Sequence, residues 1–468
     1  MLPASPMRTD VIPPQVHDLC RALRDGGHEA FVVGGCVRDL VRDDHLRIKD
    51  WDVTTSASPH EVVRIFGKRA IPTGLAHGTV TVLCGHGDAR MPIEVTTYRG
   101  EGAYSDGRRP DAVTFVRTLE EDLARRDFTM NALALDPTTA ELRDVYGGVA
   151  DIERRTIRAV GEARARFGED GLRALRAVRF AAQLEFSVDP GTLAAIPETL
   201  DVFAKVSMER VRDEMMKILA ARQPSRGLSL MADTGLLARA VPELAESFGV
   251  TQNRHHAFDV WSHTLATVDA CRNDPIVRWA ALLHDVAKPR TRAAKDGEPG
   301  EYTFFRHDLV GADMAEAILK RLRFPNRERE EIVGLVRNHM FWYSPEWTDA
   351  TVRRFLVRIG PEAFEPLVEL RVGDVVGRGR GEDPETEIGE LRRRVAETLA
   401  KAQALKVSDL AIGGRDLIGE LGLRPGPLLG EILRALLERV IEDPALNERE
   451  ALLALARAHA ATGAPTDG

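Results

Sequence analysis

FVVGGCVRDLVRDDHLRIKDWD, residues 31–52, is the stretch from which the fold can be read. Phe31, Val32 and Val33 read as a short buried strand halted by Gly34-Gly35, where a backbone without Cβ can approach a ligand closely. A helix is expected from near Cys36. A strand, a glycine turn and a helix N-terminus aim backbone N–H groups and the positive dipole end at an anion, and Arg38 adds a cation in the first turn. This is a triphosphate cradle in outline. Ile48 to Thr54 then reads as a second strand, on which Asp50 and Asp52, two apart, share one face. Paired carboxylates repel unless a cation lies between them, and hard oxygen ligands on one face suit Mg²⁺. An isolated Asp-x-Asp is usually solvated surface charge, so the ordered combination carries the reading.

The 468 residues, 44% hydrophobic and 29% charged, have ordinary soluble composition. At that length roughly two to four domains are expected. A formal charge of −8 excludes a generally basic nucleic-acid coat, so a polyanion must be met by a local patch. One candidate runs from Arg154 to Arg179, where eight arginines face Glu162, Glu169 and Asp170, a local balance of +5. Cys20, Cys36, Cys84 and Cys271 form no CxxC pair, which argues against a disulfide framework or a cysteine zinc site and for a reducing compartment. The N-terminal MLPASPMRTDVIPP has no apolar signal region and no long apolar run follows, so no membrane association and a cytoplasmic location are expected.

The first part of the chain mixes β-rich runs (Val80 to Cys84, Ile93 to Thr97, Ala112 to Val116) with helical ones; beyond Gly161 helical periodicity dominates. Glu94 falls on a strand that can pair beside the Asp50/Asp52 strand, as a third metal carboxylate or as an edge residue facing water. EDLARRDFTMNA, residues 121–132, joins Arg125 and Arg126 to an amphipathic segment. GEDGLRALRAVRF, residues 168–180, reads as one helix with Leu172, Leu175 and Val178 toward a core and Arg173, Arg176 and Arg179 along another edge. Asp170 and Arg173, three apart, can be neighbours, for which an N-cap with an ion pair is the purely structural alternative.

GGCVRD, KDWD, RRDFTMNA and EDGLRALRAVRF, in this order from about Phe31 to Leu219, resemble class II tRNA nucleotidyltransferases and the related bacterial poly(A) polymerases. The resemblance implies that Asp50 and Asp52 hold catalytic Mg²⁺, that Gly34, Gly35 and Arg38 hold the nucleotide's phosphates, and that Arg126 reaches the incoming nucleotide. Asp170 and Arg173 would read its base. Cytosine and adenine both present an amino donor beside a ring-nitrogen acceptor, which an Asp and an Arg complement; uracil and guanine present the reverse. Arg176 and Arg179 would continue that stripe toward phosphate or the base pocket. YRGEGAYSDGRRP, residues 98–110, is similar to the flexible loop of family members that add the final A.

Further on, His263, His284-Asp285, His307, His339 and Asp374 form a spaced series on predicted helices. The His-Asp doublet follows the apolar run WAALL, an unfavourable place for two polar groups unless something pairs them. The series resembles HD-superfamily phosphohydrolase domains over about Arg254 to Gly377, with His307 and His339 as the extra pair that accompanies two metals; a divalent transition metal is implied there. LAIGGRDLIGELGLRPGPLLGEILRALLERV resembles the C-terminal domain with which CCA-adding enzymes grip tRNA.

The expected fold is multidomain α+β: a polymerase-β-like nucleotidyltransferase head with a mixed sheet (15–160), then a mainly helical neck with the base-reading motif (161–250), an HD domain (251–378) and a helical tail (390–462). The resemblance implies Mg²⁺-dependent addition of CMP, CMP and AMP from CTP and ATP to tRNA. Alternatives left open are a poly(A) polymerase, a CC-only or A-only enzyme, and a metal phosphohydrolase whose head only binds RNA.

Overall fold

β1 (Ala30–Val33) ends where Gly34 turns the chain at φ +80°, and the helix Gly35–Val41 follows at once. The computed structural model describes residues 9–44, 48, 50–85, 87, 90–100, 114–253, 256–295, 297–298, 300–401 and 405–462. Around β1 it assembles a seven-stranded sheet from β2 (Asp52–Thr55), β3 (Ala70–Gly74), β4 (Thr79–Cys84), β5 (Met91–Thr97), β6 (Leu133–Leu135) and β7 (Leu142–Asp144). The order is β3-β4-β5-β2-β1-β6-β7, and all neighbours are antiparallel except β2 and β5. That parallel ladder sets Asp52 opposite Glu94.

The second strand is shorter than the sequence suggests. Its pairing begins at Val33↔Asp52, because β1 stops at the glycine turn and offers no partner further back. Asp50 therefore lies exposed ahead of the ladder instead of on the same strand face as Asp52. Of the expected strand from Ala112 to Val116, residues 112–113 lie outside the described residues, and Phe115 makes one isolated bridge to Arg99. The loop read at 98–110 likewise lies mostly outside them, since 101–113 are not described.

The segment read as one helix from Gly168 is two. Ala163–Glu169 stops at Asp170-Gly171, and Leu172–Leu184 starts a new axis. The corner is fixed by packing: a Cβ on Gly171 would stand 2.6 Å from the Phe203 backbone N and Cα. Leu172, Leu175 and Val178 are buried as their spacing requires.

The chain divides into two compact units, Met1–Glu246 with Arg321–Phe324, and Ser247–Lys320 with Pro325–Gly468. Of the residues read as head and neck, 15–246 fall in the first and 247–250 in the second; those read as HD domain and tail fall in the second, except Arg321–Phe324, which belong to the first. The second unit is helical apart from one hairpin, Arg292–Ala294 against Tyr302–Phe304, among its described residues. Its last helices, Gly414–Leu421, Pro427–Glu442 and Arg449–Thr462, share a core of Leu417, Ile432, Leu436, Val440 and Leu452. All four cysteines are buried as free thiols. No helix among the described residues is long and apolar enough to cross a membrane.

Candidate active site

In the first unit a cleft of about 700 Å³ collects the glycine turn, Asp52, and the edge of the helix Leu172–Leu184. Eight arginines line it, Arg38, Arg99, Arg125, Arg126, Arg173, Arg176, Arg179 and Arg210, against three carboxylates, Asp52, Asp127 and Asp170. Only three of the eight arginines in the 154–179 patch belong to it. The cleft's arginines come from elements far apart in sequence, so a net acidic chain presents an arginine-lined pocket.

Gly34 shows why the turn needs glycine. At φ +80° a side chain is strained, and a Cβ there would sit 3.4 Å from Arg126 Nη1 and 3.6 Å from Asp52 Oδ2. Backbone, carboxylate and guanidinium thus converge on one spot. Burial, then the neighbouring Glu94 and Asp50 carboxylates, push the Asp52 carboxyl up to about 6 against the pull of Arg126. Such crowding of acids suits a divalent cation. Glu94 and Asp50 are themselves exposed and outside the cleft lining, so the three do not form a closed ligand cage.

Arg125 and Arg126 follow the helix Leu119–Ala124, which a Thr118/Glu121 capping box starts. Both fold back onto fully buried Asp122, at 2.6 Å and 3.2 Å. Asp122 also accepts from Thr54 Oγ1 on β2 at 3.1 Å, two residues from Asp52. One carboxylate therefore fixes two cations relative to β2. Arg126 Nε is buried without a hydrogen-bond partner among the described residues. Arg38 forks onto Asp39 and reaches Asn131 at 3.0 Å.

At the far end Asp170 is clasped by Arg210, Nη2 to Oδ2 at 2.6 Å and Nη1 to Oδ1 at 3.2 Å. Arg173 donates to the Arg125 and Arg166 carbonyls at 2.9 Å and 3.0 Å and to Glu169. Asp170 and Arg173 line the same cleft, each oriented by other protein groups. Arg176 and Arg179 line it too, but as members of internal pairs with Asp127 and Glu214, both at 2.6 Å.

The second unit gathers His263, His284, Asp285, His307, His339 and Asp374, all buried. Asp285 Oδ2 lies 3.4 Å from His263 Nε2 and 3.1 Å from His284 Nε2; Oδ1 lies 3.4 Å from His307 Nε2 and 4.0 Å from His339 Nε2. Asp374 Oδ1 closes on His263 Nε2 at 3.2 Å. Nδ1 of His284, His307 and His339 points at the Ala281, Phe304 and Val336 carbonyls at 2.7–2.8 Å. Those bonds hold the proton on Nδ1 and turn the Nε2 lone pair inward, as metal-ligating imidazoles require. Burial opposes ionisation of Asp285, yet the adjoining His284 imidazole and Lys288 ammonium hold it well below the usual carboxylate range. Burial, with His284 and His307 beside it, pushes His339 down to about 3. Donor set and orientation fit two divalent cations flanking Asp285. A cleft of about 410 Å³ opens onto this centre.

Three family models match: the Poly A polymerase head domain over residues 30–158, a "Probable RNA and SrmB- binding site of polymerase A" over 185–248, and tRNA nucleotidyltransferase domain 2 over 303–456. The CCA-adding enzyme of Geobacillus thermodenitrificans is 36% identical over 441 residues, which cover 94% of this chain and 95% of the relative. The chain belongs to the CCA-adding enzyme family. The CCA-adding enzyme of Enterococcus faecalis is 33% identical over 461 residues, covering 98% of this chain and 99% of its own. A Bacillus stearothermophilus CCA-adding enzyme crystallised in complex with CTP superposes with a TM-score of 0.71 at 31% identity, covering 96% of this chain and 99% of that one. As a member of this family the chain is a nucleotidyltransferase with a polymerase-β-like head.

Arg210 and Asp127 in the lining of the nucleotidyltransferase cleft, Asp122 paired with Arg125 and Arg126, and His256 and Lys288 at the second centre, escape the sequence reading. Asp122 and Asp127 flank the quoted Arg125-Arg126 pair, which is a usable signal. Arg210, in the helix Met208–Leu219, and His256, grouped with His263 and Asp374, carry no local mark.

Proposed function

We propose that the protein completes the 3′ end of tRNA in the cytoplasm, adding CMP, CMP and AMP from CTP and ATP without a nucleic-acid template and releasing pyrophosphate. The observation that carries this is the cleft joining Asp52, Arg126 and the Asp170/Arg173 pair, together with membership of a family in which a relative was crystallised with CTP. On this reading the head is 15–160, the neck 161–250, and a tRNA-binding tail 390–462.

Asp50 and Asp52, with Glu94 behind, would hold Mg²⁺, which when bound neutralises the triphosphate and acidifies the attacking hydroxyl. The Gly34-Gly35 turn, Arg38 and Arg126 take the phosphates. Asp170 accepts from the amino group and Arg173 donates to the ring nitrogen shared by cytosine and adenine, so UTP and GTP would leave buried groups unpaired. Arg176 and Arg179, each held by an internal carboxylate, supply guanidinium donors along the wall beside the base. The test is incorporation of labelled CTP, ATP, UTP and GTP into tRNA transcripts lacking CCA or ending in CC, with Asp52→Ala alongside. CCA addition that stops, and that the variant loses, supports the reading. Open-ended A addition would move it to a poly(A) polymerase, and CC or A alone to a specialised enzyme.

A second reading concerns residues 251–378, an HD-type phosphohydrolase centre holding transition-metal ions. It is favoured by one observation: Asp285 presents one oxygen to each of two histidine pairs. Hydrolysis of bis-p-nitrophenyl phosphate with Mn²⁺ or Ni²⁺, lost in Asp285→Ala and kept in Asp52→Ala, tests it.

A further inference from the structure

Between the helices Asn326–Asn338 and Asp349–Ile359 the chain runs without regular structure, and its side chains alternate. His339, Phe341 and Tyr343 turn inward at 2%, 6% and 5% exposure, while Met340 and Trp342 turn outward at 57% and 67%. Two adjacent outward positions filled by large apolar groups are not needed by the core beneath them, which the inward set already fills.

These outward groups overhang a recess of about 310 Å³ walled by Trp342, Trp347, Phe355, Thr351, Arg354 and Arg358, with no carboxylate in its lining. Arg354 is tied to Glu438 and Glu442. Arg358 lies 5.4 Å from the Phe355 ring centroid and has no carboxylate partner among the described residues. On its other side Trp342 has the Arg371 guanidinium 5.9 Å from its ring centroid. Flat aromatic faces beside an uncommitted guanidinium suit a planar ring system that carries a negative charge close by. That is the chemistry by which single-stranded nucleic acid is held irrespective of sequence. A groove for an amphipathic protein helix would instead offer an aliphatic trough.

We infer that this recess seats an unpaired nucleotide of single-stranded RNA, with its base against Trp342 and Trp347 and its phosphate at Arg358. Met340 lines both the recess and the cleft of the His/Asp centre, and Phe305, 81% exposed, stands in that same cleft lining. A strand lying on the recess therefore continues toward that centre. The site is distinct from the nucleotidyltransferase cleft and stands whether or not the His/Asp centre hydrolyses anything.

The test uses the full chain and a single-stranded oligoribonucleotide carrying 5-iodouridine, cross-linked by ultraviolet light and mapped by peptide mass spectrometry. The same sequence in a duplex is the control. Adducts on Trp342 or Trp347 are expected with the single strand and not with the duplex. Arg358→Glu should raise the RNA concentration for half-maximal adduct at this site about tenfold and make its salt dependence shallower by about 0.7 of a log unit per log unit, with Arg358→Lys restoring most of both. Adducts confined to the nucleotidyltransferase cleft, equal labelling by the duplex, or half-saturation unmoved by Arg358→Glu would overturn the inference. A protein partner in place of RNA would show itself by the same lack of adduct.

Discussion

Arg210 and Asp170, forty residues apart in sequence, form a two-pronged guanidinium–carboxylate pair inside the cleft, with N–O distances of 2.6 Å and 3.2 Å. Asp170 Oδ1 also takes the Leu172 N–H at 3.0 Å, so three of its roughly four acceptor sites are used by protein. Asp170 itself lines the cleft. The proposed reader is thus held in a fixed plane by Arg210 and the Leu172 N–H.

Replacing Arg210 should therefore loosen discrimination more than turnover. For Arg210→Gln we expect the CTP-over-UTP ratio of kcat/KM to fall about tenfold or more, with kcat for CTP less affected. Guanidinium added to Arg210→Ala should recover part of the ratio. Asp170→Asn separates the two ideas: if it leaves the ratio intact, Asp170 does not read the base. If only the Arg210 variants leave it intact, the clasp is merely structural.

Asp127 supplies a pH prediction. Burial works against its charge, but Arg176, Asn131 and Arg173 hold the carboxyl down at about 2. A folded value below the unfolded one of about 4 stabilises the fold above that unfolded value, on the order of 2 kcal/mol, and the benefit is lost as pH falls through the folded value. Urea unfolding should thus show Asp127→Asn less stable than the parent by about 2 kcal/mol at pH 7, with the gap roughly halved by pH 3. A gap that stays constant with pH would refute the ion pair as its source.

Gly171 fixes the corner that places Asp170. With a Cβ only 2.6 Å from the Phe203 backbone, no side chain can yield to make room. Gly171→Ala should lower stability by about 1–3 kcal/mol, visible as a lower Tm, and should blunt nucleotide selectivity by moving the reader. Unchanged Tm and selectivity would mean that the corner relaxes freely.

Asp285 is the carboxylate that faces both histidine pairs. After dialysis of chains carrying Asp52→Ala against Mn²⁺, mass-spectrometric metal analysis should find about two ions per chain, about one with His339→Ala added and fewer than one with Asp285→Ala added. Equal metal with and without Asp285→Ala would rule out the bridged arrangement.

Local chemistry was enough to read the glycine turn after β1, Asp52 on a strand, Glu94 on the neighbouring strand, the helical second half and the spaced His/Asp series. Each depends on periodicity, on glycine's freedom, or on polar residues set in apolar runs, and these are properties of adjacent residues. The strand's true start at Asp52, the break at Gly171 and the internal pairing of Arg176 and Arg179 depended on partners elsewhere in the chain: the end of β1, the backbone at Phe203, Asp127 and Glu214. So did the clasp of Arg210 on Asp170 and the two-sided placement of Asp285. The sequence alone determined which groups were available for the chemistry. Only tertiary packing decided their direction and partners, because a charge's orientation is set by whatever surrounds it in space, and those neighbours come from distant segments.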